Sequence, residues 1–382
     1  MILLAPMLQL KFRIFEWMKT FFVYISLLSV LFFFGCRKDV KPTVEGTTPY
    51  NYNYPEIFSN YLPPIDEPTD NQATKEGVEL GRLLFFDTRL SGNNTQSCGS
   101  CHLPEFSFSD TAQYSIGIDG LVGNRNAMPI INLGWMEDGL FWDGRSTTAE
   151  EQAFEPVVNP IEMHETWPNA ISKIKDDPIY VSKFEQVFGP NEIDSVMVAK
   201  AIAQFERSLI SGNAPFDKFL LSNFATGSSG WSADKELLAY QGFSLFMDET
   251  KGDCFHCHGD AFNPLWTDNI YHNNGLDATF TDKGLGEVTG NPSDDGKFKT
   301  PTLRNLAFTA PYMHDGRFAT LDQVIQHYSF GLQDSPTIDP LMKNVDQGGA
   351  QLNPTEMNAI KWFLLSLSDS SFVTNPEVQN PW

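Results

Sequence analysis

The chain has 382 residues, 41% of them hydrophobic, which is enough material for two cores. Acidic residues outnumber basic ones 48 to 26, giving a formal net charge of −22, and this argues against nucleic acid as a partner. Such acidity favours solubility and the long-range attraction of a basic protein, and the 31 Phe and 8 Trp would suit pockets that enclose a large, flat apolar cofactor.

The first element is "MKTFFVYISLLSVLFFFGC", Met18 to Cys36. A lysine, an apolar run too short for a membrane span, a small residue and then Cys read as a bacterial lipoprotein signal with its start at Met18. The expectation is a signal peptide over residues 1–36, lipidated at Cys36, and a periplasmic product held to a bacterial membrane. Phe33 and Phe34 depart from the usual aliphatic and small residues of such a site, and an uncleaved anchor helix is the alternative. Both put the rest of the chain outside the cytoplasm. Residues 37–72, rich in Pro, Tyr and Asn, read as a tether.

Apolar spacing then predicts helices over Lys75–Phe86, Thr148–Phe154, Ile193–Leu209, Ala233–Phe246, Leu321–Tyr328 and Thr355–Leu367, several opened by Ser, Thr, Asp or Asn. Strand signals are sparse and long Gly, Asn and Asp-rich loops lie between the helices. "LGRLLFFD" (Leu80–Asp87) resembles "QGFSLFMD" (Gln241–Asp248), a weak internal repeat. The fold expected is mainly α: two cytochrome c-like domains with long loops, at 73–212 and 213–382, meeting near Ile210–Phe219.

Each repeat precedes a pentad, "CGSCH" at Cys98–His102 and "CFHCH" at Cys254–His258. Together with Cys36 these account for all five cysteines, so none remains for a disulfide. CxxCH is the attachment pattern of c-type haem: Cys98 and Cys101, and again Cys254 and Cys257, would form thioethers, while His102 and His258 would bind iron. A zinc site built from two CxxC pairs explains neither histidine nor the export signal.

From Ala73 to Leu367 the sequence resembles the bacterial di-haem cytochrome c peroxidases and their relatives of the MauG type, which oxidise tryptophans in a partner protein. The carriers, besides the pentads, are "NRNAMPIIN" (Asn124–Asn132), "FWDGR" (Phe141–Arg145), "EQAFEPVVNPIEM" (Glu151–Met163), "AQFERSLISGNAPFDKFL" (Ala203–Leu220) and "FKTPTLRNLAFTAPYMHDGR" (Phe298–Arg317). The resemblance implies two covalent haems c, hydrogen peroxide reacting at the N-terminal one, and electrons relayed through the C-terminal one from a donor such as a small cytochrome c. It makes Glu162 the catalytic acid–base, with Gln152 and Pro156 lining the same pocket and Trp142 between the haems. It also implies a calcium ion held by the Asn126 side chain and the Thr309 and Pro311 carbonyls. A homodimer is expected because members of the family often pair.

Two positions depart from the better-known peroxidases. In those a His after "SIG" caps the N-terminal iron; here that residue is Ile118, which binds no iron, so the first haem is expected to be open opposite His102. Counting from His314 to the sixth ligand of the second haem lands on Tyr328 instead of Met, as in MauG-type proteins, with His327, Met313 and Met342 as rivals. Both departures favour a MauG-like oxidase that uses high-valent haem to modify a protein. A non-catalytic di-haem electron carrier is the rival from another class.

Overall fold

The structure, a computed structural model, describes residues 46–136 and 138–382. The expected signal peptide and Cys36 lie outside the described residues. Among the described residues, nine helices of six or more residues set the frame: α1 (Glu56–Tyr61), α2 (Lys75–Phe85), α3 (Trp167–Lys175), α4 (Pro178–Phe188), α5 (Ser195–Ser208), α6 (Pro215–Leu221), α7 (Ala233–Phe246), α8 (Leu321–Gln326) and α9 (Pro354–Ser366). The one sheet among the described residues is a two-residue antiparallel pair, β1 (Tyr271–His272) with β2 (Phe298–Lys299).

Two helix crossings organise the cores. α2 packs on α5 and α7 packs on α9, and at each crossing a glycine of the sequence repeat lies against a backbone carbonyl. A Cβ on Gly81 would stand 1.9 Å from the Ala201 oxygen, and one on Gly242 would stand 2.0 Å from that of Ala359. The repeat therefore marks two equivalent close approaches that a larger residue would wedge apart. Around the first crossing Leu80, Leu84, Phe85, Phe108, Ile202 and Phe205 form one apolar cluster; around the second Phe216, Phe246, Trp266, Ile360 and Phe363 form another. Phe372, Val373 and Val378, far along the chain, return to the first cluster. Asp217 of α6 and Arg304 make a buried two-pronged ion pair at 2.8 Å, tying the "PFDKF" and "TLRN" strings together.

The tether reading fails from Thr48 onward. Pro49 bridges Thr74, Tyr50 N donates to the Ala73 carbonyl at 2.9 Å, and Ile57 and Phe58 of α1 are 1% exposed, with Phe58 edge-on to Trp135. This segment is polar in composition, but its few aromatic and aliphatic side chains are the ones it buries. α3, α4 and α6 were not expected, because each carries a proline in its first turn, where it is harmless to a helix although it reads as a breaker. The helix expected over Leu321–Tyr328 ends at Gln326 and continues as a π-turn, His327–Gly331.

Candidate functional site

Both pentads fold as a single helical turn. His102 N donates to the Cys98 carbonyl at 2.9 Å and His258 N to that of Cys254 at 3.1 Å, so each triplet of Cys, Cys and His lines one cavity. The first cavity measures about 530 Å3 and the second about 230 Å3. All four thiols are pushed up by burial, Cys254 and Cys257 to about 12, and none is in a disulfide. Such thiols are protonated at neutral pH.

The histidines fit a haem. His102 Nδ1 lies 2.7 Å from the Phe108 carbonyl, an arrangement that fixes the proton on Nδ1 and leaves Nε2 as a free electron pair toward the cavity. Burial lowers the affinity of both rings for a proton, His258 to about 4, so each is neutral and able to ligate. The carbonyls of Trp266 and Pro301 approach His258, but its Nδ1 has no hydrogen bond of good geometry.

The first cavity gathers Glu162, Gln152 and Pro156. Asn159 shapes the loop that carries the acid: its Oδ1 accepts from Ile161 N at 3.1 Å and its Nδ2 donates to Glu162 Oε1 at 2.6 Å. Burial raises the Glu162 carboxyl above its ordinary value, and the Asn159 bond only partly opposes this. A carboxyl whose affinity for a proton is raised in this way is suited to general acid–base work. His102 is the only imidazole or phenol lining this cavity among the described residues; Met128, Met136 and Met163 are there as thioethers. Ile118 does not line it. Its side chain packs over Gly92, and its N–H donates to the Glu162 carbonyl at 2.9 Å, so the residue holds the acid's backbone.

Glu206, on α5, also lines the first cavity, and nothing in the sequence singled it out. It is 3% exposed, one carboxylate oxygen has no partner, and burial pushes it up to about 8.

In the second cavity the π-turn brings in Tyr328, whose hydroxyl accepts from Asn274 Nδ2 at 3.0 Å. The extra residue in a π-turn rotates the side chains that follow it, a frequent device at functional sites. Burial drives the phenol up to about 12. Met313 and Met342 also line this cavity, whereas His327 does not: its ring faces Phe318 and its Nε2 is buried without a partner. Cys257, Asp268 and His272 lie close enough to hold an ion, but both ring nitrogens of His272 are engaged, with Asp268 at 2.8 Å and Asp339 at 2.5 Å.

Trp142 lines both cavities and is 8% exposed. Its Nε1 donates to the Asn126 carbonyl at 2.8 Å and its own carbonyl accepts from Lys299 N at 2.8 Å. The loop around it needs Gly144, at φ 73°, because the Tyr271 hydroxyl sits 2.1 Å from where a Cβ would be. Asn126 also lines both cavities; its amide donates to the Ala112 and Gln113 carbonyls, and no donor reaches its Oδ1 among the described residues. Thr309 and Pro311 line the second.

A sequence profile described as "Di-haem cytochrome c peroxidase" matches residues 75–224. The methylamine utilization protein MauG of Methylorubrum extorquens is 36% identical over 283 residues, 73% of this chain and 76% of its own length. Cytochrome c551 peroxidase of Nitrosomonas europaea is 37% identical over 270 residues, 69% of this chain and 75% of its own. Among solved structures, a MauG-like protein associated with microbial copper homeostasis superposes with a TM-score of 0.75 at 32% identity, covering 87% of this chain and 99% of that one. With these relatives, and with two CxxCH cavities suited to haem c, the chain belongs to the di-haem cytochrome c peroxidase family.

Proposed function

We propose that this peroxidase divides its labour between the two cavities, hydrogen peroxide being reduced in the first while the second stores and relays electrons. Haem c joined to Cys98 and Cys101, and to Cys254 and Cys257, supplies the redox chemistry at iron bound by His102 and His258. Glu162 takes a proton from one peroxide oxygen and delivers it to the leaving one, and Asn159 keeps the carboxyl aimed while burial keeps it protonatable. Gln152 and Pro156 shape the space around it. Trp142, common to both cavities, passes the oxidising equivalent between them. The observation that carries this reading is a half-buried Glu162 whose proton affinity burial raises, in the cavity of His102; of the acids lining the second cavity among the described residues, Glu249 is exposed and Asp253 is paired with Lys343 at 2.6 Å.

The Asn126 Oδ1, which no donor among the described residues reaches, and the carbonyls of Thr309 and Pro311 would hold a calcium ion near the shared wall. The donor in this reading is a small basic cytochrome c, the chain pairs as a homodimer, and Cys36 anchors it by lipid in the periplasm.

Turnover of a protein side chain in the MauG manner is the second reading, favoured by Tyr328 in the second cavity and by Ile118 turned away from the first. One experiment tests both. The fully ferric protein is mixed with hydrogen peroxide in a stopped-flow spectrometer, with Ile118→His as comparison. Prompt reaction without prior reduction is expected; a requirement for reduction would mean that a ligand caps the first iron. Fast consumption of reduced cytochrome c then supports the first reading, and negligible consumption the second.

A further inference from the structure

Five basic side chains, Arg125, Arg145, Lys251, Lys343 and Lys299, line the two cavities among the described residues. Four of them are neutralised within the chain. Arg125 pairs with Asp143 and Asp282, Arg145 with Asp143 and Glu155, Lys251 with Glu356 at 2.7 Å, and Lys343 with Asp253 at 2.6 Å. Lys299 is the exception and also the most buried, at 4% exposure. Its Nζ donates to two carbonyls, of Asn269 at 3.0 Å and Asp138 at 3.3 Å, and to no carboxylate. An ammonium has three donors, and the third side of this one faces only the Tyr271 ring, its centroid 5.1 Å from Nζ, so no negative charge completes it among the described residues.

Scarcity of acids does not explain this, since the chain carries 48 against 26 bases. Taking an ammonium out of water costs several kcal/mol, and two carbonyl dipoles offset only part of that. Burial accordingly lowers its affinity for a proton, to about 8. A bland reading is a neutral amine content with two carbonyls. Against it stands the location: Lys299 lines both cavities, and its backbone holds the carbonyl of Trp142 between them. A haem brings two propionates into each cavity, and carboxylates need donors once buried.

We propose that Lys299 is the propionate-binding cation of the di-haem centre, a counter-ion which the fold leaves unpaired for a haem carboxylate to complete. The proposal rests on the haem reading, and its test separates the two. Two haems c per chain in the wild-type protein, counted by the pyridine haemochrome assay, secure that reading; their absence would sink it and this inference together. With both haems present, Lys299→Met should make the potential of at least one haem more negative in a spectroelectrochemical titration, because a positive charge that favours the reduced form is gone. The propionate bending band of the same haem should move in the resonance Raman spectrum, and Lys299→Arg should bring both back toward wild type. Should Lys299→Met not accumulate, Lys299→Gln, which loses the charge but keeps a donor, replaces it with the same expectation. Potentials and propionate bands that stay at their wild-type positions in the charge-loss variant would overturn the proposal while leaving the haem reading intact.

Discussion

The two halves of the molecule share a frame and differ in what lines it. In each, a CxxCH turn lies beside a pair of helices crossing at a glycine, Gly81 on Ala201 in one and Gly242 on Ala359 in the other. The first cavity then receives two acids, the half-buried Glu162 and the fully buried Glu206, while the second receives Tyr328, Asn274 and a histidine clasped by two aspartates. A repeated scaffold fixes where a cofactor sits, and the residues added from surrounding loops decide whether protons can be delivered there. Chemistry that cleaves an O–O bond needs such delivery, and electron storage does not.

The sharpest way to break this asymmetry is Glu162→Gln. Loss of general acid–base help should lower peroxide turnover by about 10²–10⁴-fold, with haem content and the spectrum of the second haem unchanged. Turnover within a few-fold of wild type would move the proton chemistry to another residue.

How much of this was legible in the sequence follows from what each residue needs to be recognised. The CxxCH pentads were plain because covalent attachment and ligation are carried by adjacent residues. Glu162, Gln152 and Pro156 were found only through the strings around them, and the structure does bring all three to one cavity. Tyr328 is singled out by counting, and the structure puts it on the wall of the second cavity, yet the π-turn that presents it was not visible, since a local apolar period does not report one extra residue per turn. Asn159, Asn274, Glu206 and Lys299 escaped notice altogether. Each is ordinary by type; the meaning of Asn159 comes from hydrogen bonds two and three residues away, and that of the other three from burial and from a partner, or the lack of one, supplied by a distant segment.

The second prediction concerns Glu206, whose folded value of about 8 lies above that of an unfolded carboxylate. Between roughly pH 4.3 and pH 8 the unfolded chain ionises here while the folded chain does not, so the folded state loses stability as pH rises across that window. Glu206→Gln removes the penalty and should stabilise the protein by on the order of 3 kcal/mol near pH 7. Thermal unfolding at pH 5 and pH 8 checks it: the gain over wild type must be larger at pH 8.

Gly81→Ala and Gly242→Ala test whether the shared frame is equally tight in both halves. Alanine favours a helix by about 1 kcal/mol over glycine, but its Cβ would meet a backbone carbonyl that cannot swing aside. Overpacking of this kind costs about 1–3 kcal/mol, so the net effect should be destabilising in both variants, read as a lower urea midpoint. A gain in either would mean that its helix pair can slide apart freely.

The last comparison concerns the second half alone. His272 is held by Asp268 first and Asp339 second, and the two carboxylates raise it from the ordinary 6.5 to about 8. A folded value above the unfolded one means that the stabilisation is complete below about pH 6.5 and is lost as pH rises through 8. Its full size is about 2 kcal/mol. His272→Gln should therefore cost most at pH 6 and least at pH 9 when melting temperatures are compared with wild type at each pH. A difference independent of pH would show that the ring serves by shape alone, and the second cavity would then owe none of its stability to a charged histidine.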